Sequence, residues 1–336
     1  MKQRPKVDDV ARLSGVSTAT VSRVLNTPAL VRPQTRERVQ AAISSLGYTP
    51  NFGARALATN RSDTFGAVIP TMENAIFARG IQALQEELTQ SGVTLLVATS
   101  GYDPEREEDQ IQTFLGRGVD GLVLIGEARG EEIYSTLQAR GVPFVLVWSW
   151  RVDCPWRCVG FDNRGAARAL ADKVLDYGHR RLAVIAGITR SNDRAQARLD
   201  GIRDAMTARG LALPEDHLAE AAYTLQAGGE AAEQLMELPE RPTAVLCGND
   251  VLAAGATLAF QRLGLSVPGD VSVTGFDDIE HAILVDPPLT TVHVPHRRMG
   301  RSAAELLLRL RDQEGGLDSI CYETSIVERG SLARPA

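Results

Sequence analysis

Apolar positions in the first fifty residues recur with the period of an α-helix, and three helices are predicted there. The first spans residues 7–14 and is followed by Gly15, which adopts the positive φ of a tight turn without strain. The second begins after Ser17, a favourable N-cap residue, and the third ends at Gly47. The buried faces of the three helices consist of Val7, Val10, Ala11, Leu13, Val21, Val24, Leu25, Val39, Ile43 and Leu46.

The spacing of Ala11, Gly15 and Val21 indicates a helix-turn-helix. The small residue lets two helices cross closely, the glycine makes the turn, and the valine fills the crossing. Such a unit places the N-terminal end of its second helix in the major groove of DNA. The outward residues of this helix are predicted to read bases (Thr18, Ala19 and Arg23) and to contact phosphates (Thr20 and Ser22).

Arg23 carries most of the predicted sequence specificity. Its planar guanidinium can donate to O6 and N7 of one guanine, which is worth ~1–3 kcal/mol of discrimination. A phosphate contact is the alternative, since more than half of protein–DNA hydrogen bonds go to the backbone. Thr18 and Ala19 are suited to apolar contact with thymine methyl groups.

From residue 64 onward, short apolar runs alternate with amphipathic segments. This alternation predicts parallel β-sheets whose two faces are covered by helices. A body of about 270 residues exceeds one hydrophobic core, so two doubly wound lobes are expected. The predicted strands lie at 65–69, 93–97, 119–125, 142–148, 181–186, 243–247 and 271–275.

The charge of the chain is unevenly distributed. Residues 1–62 carry ten Lys or Arg against three acidic residues, a net charge of +7, whereas the whole 336-residue chain has −6. A basic head on an acidic body favours a polyanion as the partner of the head. No apolar run approaches the roughly 18 residues of a membrane span, the N-terminus lacks a signal-peptide pattern and only four cysteines occur, so we expect a cytoplasmic protein.

The head resembles that of the LacI/GalR family of bacterial transcriptional regulators. The likeness covers residues 7–26 and continues through Thr35-Arg36, Leu46-Gly47-Tyr48 and Pro50-Asn51, and residues 54–58 resemble the family's hinge helix. It implies a homodimer on a pseudo-palindromic DNA operator. It also implies that Ala54 and Leu57 enter the minor groove, where the leucine separates a base step. Gly53 stands where the family usually has a valine.

The body resembles the family's periplasmic-binding-protein-like effector domain. The likeness is strongest at residues 248–250, 275–278 and 287–292, and it implies three crossings between lobes, near Asp162, Thr291 and Cys321. The expected organisation is a DNA-binding domain (1–49), a hinge (50–62), an N-lobe (63–162 and 292–320), a C-lobe (163–291 and 321–330) and a tail (331–336).

Ligands of open α/β sheets bind beyond the carboxyl ends of the strands, here in the cleft between the lobes. Aromatic rings can stack on a ligand ring, short polar side chains can bond hydroxyls, and arginine can bind an oxyanion. The resemblance places in this cleft Phe77, Trp148, Arg198, Tyr223, Asn249 and Asp277, and the spacing of the arginines adds Arg194.

Each candidate has an alternative. Phe77 could be a core residue, while Asn249 and Asp277 could cap the helices that follow them. Arg190, Arg194 and Arg198 have the spacing of one helix face, which favours a sugar acid or other carboxylate over a plain sugar. If the first two lie in a solvated loop, only the third reaches the cleft.

Signals typical of enzymes are weak. Residues 116–121 match the letters of a dinucleotide-binding loop, but they follow a helix and precede a strand, the reverse of the required order. Cys154 and Cys158 could form half a zinc site or a redox pair, yet no second cysteine or histidine pair lies nearby in sequence. We therefore expect no catalysis, metal or cofactor. A solute-binding protein and a sugar-metabolising enzyme are the alternative functions.

Overall fold

The computed structural model describes residues 5–49 and 61–336, and the chain divides into two compact units, 1–62 and 63–336. The predicted fold class, a helical head followed by a two-lobed α/β body, is confirmed. Within the described ranges, no helix combines the length and the apolarity that a bilayer crossing requires.

The N-terminal unit is a bundle of three short helices. Gly15 (φ 66°) and Gly47 (φ 61°) end the first and third helices in the left-handed region, as predicted. The second helix begins where Ser17 Oγ accepts the backbone N–H of Thr20 at 3.2 Å. One fully buried valine from each helix contributes to the core. The helices are α1 Val7–Ser14, α2 Thr18–Asn26 and α3 Pro33–Leu46.

The first lobe of the body contains a six-stranded parallel sheet. Its strands are β1 Thr64–Ile69, β2 Thr94–Thr99, β3 Gly121–Ile125, β4 Phe144–Val147, β5 Cys158–Gly160 and β11 Ile320–Cys321. The helices of this lobe are α4 Ala75–Gln90, α5 Pro104–Gly116, α6 Glu131–Ala139 and α12 His296–Arg311. The strand order is β11-β5-β4-β3-β1-β2. The central strands are fully buried apolar runs, as a sheet covered on both faces requires.

The second lobe repeats the design with four parallel strands in the order β7-β6-β8-β9. The strands are β6 Leu182–Gly187, β7 Leu218–Ala221, β8 Ala244–Cys247 and β9 Ser272–Thr274. The helices are α7 Asn163–Asp176, α8 Asp193–Ala208, α9 Leu225–Met236, α10 Asp250–Arg262 and α11 His281–Leu284. Two further strands, β10 Thr291–His293 and β12 Ser325–Val327, pair antiparallel where the chain passes between the lobes.

The observed lobe boundaries differ from the expected ones at the C-terminal end. Cys321 pairs with Gly160 in the first sheet, so the N-lobe extends one residue beyond 320. Residues 331–336 are not a separate tail, since Ser331 is fully buried and its Oγ donates to the carbonyl of Val273 at 2.5 Å. Leu332 is also buried. An apolar residue and a paired hydroxyl thus attach this segment to the edge of the second sheet.

The glycine-rich run at 116–121 ends a helix, as its order in the sequence indicated. α5 ends at Gly116, Gly118 has φ 70°, and β3 begins at Gly121.

Two glycines set the close packing of α4 on α12. A Cβ on Gly300 would overlap the carbonyl of Gly80. A Cβ on Gly80 would in turn overlap the indole of Trp148. The indole of Trp148 fills the space that a Cβ on Gly80 would occupy. Trp148 directly follows β4 and has the unusual φ of 64°.

Candidate functional site

The second helix of the head presents a polar face. Val21 and Val24 are buried against the other helices, which leaves the residues on the opposite side in solvent. Thr20 is half-buried, and its hydroxyl lies 2.9 Å from Ser17 Oγ in the N-cap. The exposed residues of this face are Thr18, Ala19, Ser22 and Arg23. Of the predicted base-reading residues, Thr18 and Ala19 therefore lie at the N-terminus of the helix, and Arg23 lies in its last turn on the same exposed face.

The described cationic residues of the head are exposed. They are Lys6, Arg12, Arg23, Arg32, Arg36 and Arg38. Cations that point into solvent are available to phosphates. The predicted hinge contacts, Ala54 and Leu57, lie outside the described residues.

A small cavity lies between the two lobes of the body. Its volume of about 20 Å³ holds roughly one water molecule, so the lobes are closed around it. Six of the seven predicted effector residues line the cavity, namely Phe77, Arg194, Arg198, Tyr223, Asn249 and Asp277. Trp148 does not line it.

Asp277 is a buried carboxylate that lacks hydrogen bonds. In the described part of the chain, neither of its carboxylate oxygens receives one, and Arg198 Nη2 approaches only to 3.5 Å. Burial raises the pKa of Asp277, against the opposing attraction of Arg198 and Arg194. The residue also has φ 102°, a backbone conformation that L-residues rarely adopt. A site that keeps a costly group in a strained position is a candidate for ligand binding.

Arg198 is held firmly by its neighbours. Its Nε donates to Asn163 Oδ1 at 2.9 Å, its Nη1 donates to the carbonyl of Gly248 at 2.7 Å, and its guanidinium lies 3.8 Å from the ring centre of Phe276. These two bonds fix the orientation of the guanidinium and leave three of its five N–H donors on Nη1 and Nη2. Its role in the geometry is to place positive charge beside Asp277.

Asn249 caps a helix and also lines the cavity, so its position is compatible with both of the roles considered from sequence. Its Oδ1 accepts the backbone N–H of Leu252 at 2.9 Å and so caps α10. Among the described residues, its Nδ2 donates to no partner, although the side chain is buried and lines the cavity. The amide therefore offers an unused donor next to the unused acceptor of Asp277.

Trp148 packs against Phe77 and contacts His296 of its own lobe, which in turn faces Asp277 of the second lobe. The two rings meet edge to face with centres 5.4 Å apart, and the indole Nε1–H donates to His296 Nδ1 at 2.9 Å. Burial lowers the pKa of His296 to about 3, so the imidazole is neutral. Since Nδ1 accepts, the proton resides on Nε2, which points toward Asp277 Oδ1 at 3.8 Å.

Arg190 and Arg194 do not share a helix face. α8 starts at Asp193 because Asn192 Oδ1 accepts the N–H of Ala195, which leaves Arg190 exposed in the preceding loop. Arg194 is half-buried and pairs with Asp193 Oδ1 at 3.0 Å. The expectation of a three-arginine face is therefore corrected: two of the three reach the cavity.

The lobes contact each other around the cavity through polar groups. The backbone N–H of Glu127 in the first lobe donates to Asp193 Oδ2 in the second at 3.0 Å. Arg79 on α4 forms an ion pair with Glu280, which precedes α11. These contacts hold the closed arrangement.

Four further residues line the cavity that the sequence did not single out: Asn74, Ile76, Tyr102 and Asn192. Asn74 caps α4 as Asn192 caps α8, so three asparagine-capped helix starts face the cavity. Asn249 was predicted from the resemblance to the family's pocket, and its position between a strand and a helix, which Asn74 and Asn192 share, is a signal that could have marked the other two. Tyr102 follows β2 and stacks across from Tyr223, with ring centres 5.6 Å apart.

No group of three or more His, Cys, Asp or Glu in the described ranges is placed to hold a metal ion.

Comparison with known proteins agrees with this architecture. The family described as bacterial regulatory proteins, lacI family, matches residues 6–51, and a periplasmic binding protein-like domain matches residues 171–332. The HTH-type transcriptional repressor PurR of Vibrio cholerae is 35% identical over 329 residues, which are 97% of each chain.

Two solved structures are also similar over 98% of this chain and 100% of theirs. The lac repressor dimer bound to operator and the anti-inducer ONPF has a TM-score of 0.86 at 27% identity. The transcriptional regulator CelR–cellobiose complex has a TM-score of 0.71 at 31% identity. The chain therefore belongs to the LacI/GalR family and is a DNA-binding transcriptional repressor of that family.

Proposed function

We propose that this chain is a homodimeric repressor whose affinity for a two-fold symmetric operator is set by a small molecule bound between the lobes. The exposed face of α2 and the basic head supply the groove and phosphate contacts. The similar lac repressor structure is described as a dimer bound to operator. A two-fold dimer presents two such heads to the half-sites of a pseudo-palindrome.

The carboxylate of Asp277, which accepts no hydrogen bond from the described residues, carries the proposal for the ligand. A buried acceptor without donors is unfavourable by roughly 1–3 kcal/mol or more, and a ligand that supplies donors recovers that free energy on binding. The free Nδ2 of Asn249 and the N-termini of α4, α8 and α10 offer donors and partial positive charge to ligand oxygens. Hydroxyl groups, which both donate and accept, satisfy the two requirements together.

The charges at the cavity favour a neutral ligand. Arg194 is balanced by Asp193, and Arg198 lies beside Asp277. The four side-chain charges sum to zero, so no unbalanced cationic side chain among them attracts a carboxylate. We therefore propose a neutral sugar rather than a sugar acid, with one face of its ring against Phe77. The CelR complex contains cellobiose, a ligand of this class.

Ligand access requires the lobes to open, since the closed cavity has room for only about one water molecule. A ligand that favours one degree of closure shifts the population of that state. In a dimer this shift changes the distance between the two hinges, which lie mostly outside the described residues, and with it the fit of the two heads to the operator.

A thermal-shift screen of the full-length protein tests the ligand class. Neutral mono- and disaccharides, aldonic acids and purine bases form three arms, because a flat heterocycle with N–H donors could also pair with Asp277. A ligand at 100 times its Kd should raise Tm by roughly 5–10 °C. Stabilisation by a neutral sugar, lost in Asp277→Asn, is expected, whereas stabilisation by acids or bases alone would overturn the ligand class.

Mobility shift with a pool of genomic duplexes tests the repressor itself. We expect a sequence-selective complex whose affinity changes when the stabilising sugar is added. Equal binding to all duplexes at moderate ionic strength would overturn the proposal.

A further inference from the structure

Two cysteines lie side by side in the loop between β4 and β5 of the first lobe. Cys154 is half-buried, and Cys158 is the buried first residue of β5. The Cys158 thiol donates to the Cys154 sulfur across 3.1 Å, and both are free thiols. Closeness of two thiols, one of them partly exposed, is the arrangement of an oxidisable pair.

We propose that Cys154 and Cys158 are a reversible oxidation site at which a hydroperoxide converts the two thiols into a disulfide. The sequence lacked a second ligand pair for a metal at this place, and the fold supplies none in the described ranges. A dithiol needs no further ligand.

The chemistry proceeds in two steps. The Cys154 thiolate attacks one oxygen of the hydroperoxide, the O–O bond breaks, and a sulfenic acid forms while the alkoxide takes a proton from water. The Cys158 sulfur then attacks the Cys154 sulfur, the S–S bond forms, the S–O bond breaks, and hydroxide leaves as water with the Cys158 proton. Two thiols are oxidised by two electrons, and the hydroperoxide is reduced to an alcohol and water.

The assignment of the two roles follows from exposure and hydrogen bonding. Cys154 is accessible to solvent, whereas Cys158 is almost fully covered. The hydrogen bond from Cys158 lowers the pKa of Cys154, and the same interaction with burial raises the pKa of Cys158. Cys154 is thus the attacking thiol, and Cys158 resolves the sulfenic acid.

The oxidation site is connected to the contact between the lobes. The N–H of Cys154 donates to the carbonyl of Arg151 at 3.2 Å, and Arg151 Nε donates to both carboxylate oxygens of Glu127 at 2.8 and 2.9 Å. The backbone N–H of Glu127 is the group that donates to Asp193 across the cleft. A disulfide requires the sulfur atoms to approach by about 1 Å, which pulls the Arg151 turn away from Glu127.

Mass spectrometry of the hydroperoxide-treated full-length protein tests the modification. Trypsin cleaves after Arg151, Arg157 and Arg164, so the two cysteines fall in different peptides, 152–157 and 158–164. We expect these peptides to be joined after treatment with hydrogen peroxide and separate after reduction. Cys321→Ser, which removes an exposed lone cysteine, should leave the link intact, and Cys154→Ser should abolish it. Two unlinked peptides, or a link to Cys321, would overturn the proposal.

Hydrogen exchange tests the connection to the lobes. Loss of one hydrogen bond should speed exchange of the Glu127 amide by roughly 3–10-fold in the oxidised protein. Arg151→Gln should still form the disulfide but show equal exchange in both redox states. Equal exchange in the oxidised and reduced wild-type protein would refute the connection. Neither readout depends on DNA or a sugar, so the inference can fail or hold independently of the repressor proposal.

Discussion

Asp277 combines three unfavourable features at one residue: burial, unpaired oxygens in the described structure, and a positive φ. Glycine would adopt this φ without strain and an apolar side chain would remove the unpaired oxygens, so stability alone does not account for the aspartate. Arg198, which could neutralise it fully at closer range, is instead bound to Asn163 and Gly248. The charge of Asp277 is therefore only partly balanced by Arg198, and its carboxylate lines the cavity. This is the arrangement expected of a ligand-binding carboxylate.

Asp277→Asn should change the pH dependence of stability. The pKa of Asp277 is raised in the folded state above its value of about 3.9 in an unfolded chain. The unfolded state therefore releases the proton first, and wild-type stability falls as pH rises from the unfolded pKa through the folded one. The variant lacks this contribution, so the difference between its free energy of unfolding and that of the wild type should increase in favour of the variant as pH rises. Urea unfolding of both proteins between pH 5 and 8.5 measures the difference, and parallel curves would contradict it.

Arg23→Ala should weaken operator binding by ~1–3 kcal/mol and relax the preference at one base pair of each half-site. The expectation follows from the exposed position of Arg23 on α2, on the same polar face as Thr18, Ala19 and Ser22 and about one turn beyond them. Selection from randomised half-sites gives the preference directly. Arg38→Ala, at an exposed site on α3, is the matched control and should weaken all sequences alike. Uniform weakening by both variants would mean that Arg23 contacts phosphate.

At the scale of helices and strands, the sequence predicted most of the architecture. The helices of the head were visible because glycine ends and apolar spacing are local properties. The buried strands were visible as apolar runs. Arg190 was misplaced on a helix because the start of α8 depends on the Asn192 cap, which a spacing of four does not show. The position of Trp148 depends on the missing Cβ of Gly80, a contact between distant segments that no local pattern contains.

The same distinction applies to the cavity. Asn249 and Asp277 were predicted from the resemblance to the family's pocket, and both follow a strand, where the cleft residues of open α/β sheets lie. Tyr102 was missed because an aromatic residue after a strand has the pattern of a core residue, and only the second lobe gives it a ring to face. Contacts across the cleft belong to two segments far apart in sequence and were outside the reach of any motif.

Leu57→Ala should abolish DNA bending and sequence-specific binding without affecting the fold. Leu57 lies outside the described residues, and its role follows from the resemblance of residues 54–58 to a hinge helix. Separating two base pairs costs a few kcal/mol of stacking free energy. A leucine side chain inserted between them offsets part of this cost, whereas the methyl group of alanine is too small to do so. Circular-permutation mobility shift measures the bend, and thermal unfolding measures the fold. A bend of unchanged angle would exclude Leu57 as the inserted residue.

At the scale of the whole molecule, charge is divided between the parts by function. The head is strongly basic and the body acidic, so the body does not compete for DNA. Within the body, the cleft is arranged so that opposite charges balance. Asp193 is central to that balance, because one of its oxygens accepts from Glu127 across the lobes and the other pairs with Arg194. One side chain therefore couples closure of the lobes to the charge of the cavity.

Two substitutions of Asp193 should separate closure from charge. Asp193→Asn keeps an oxygen that accepts from the Glu127 amide but removes a negative charge, so the cavity gains a net positive charge from Arg194. Neutral sugars should bind with nearly unchanged affinity, while aldonic acids should gain roughly tenfold, since a charged hydrogen bond is worth about 1.5–3 kcal/mol. Asp193→Ala removes the same charge and also loses the inter-lobe hydrogen bond, which should weaken every ligand by roughly 2–10-fold relative to Asp193→Asn. Titration calorimetry with one sugar and its aldonic acid decides the matter, and identical effects of the two substitutions on both ligands would show that Asp193 does not set the charge preference of the cleft.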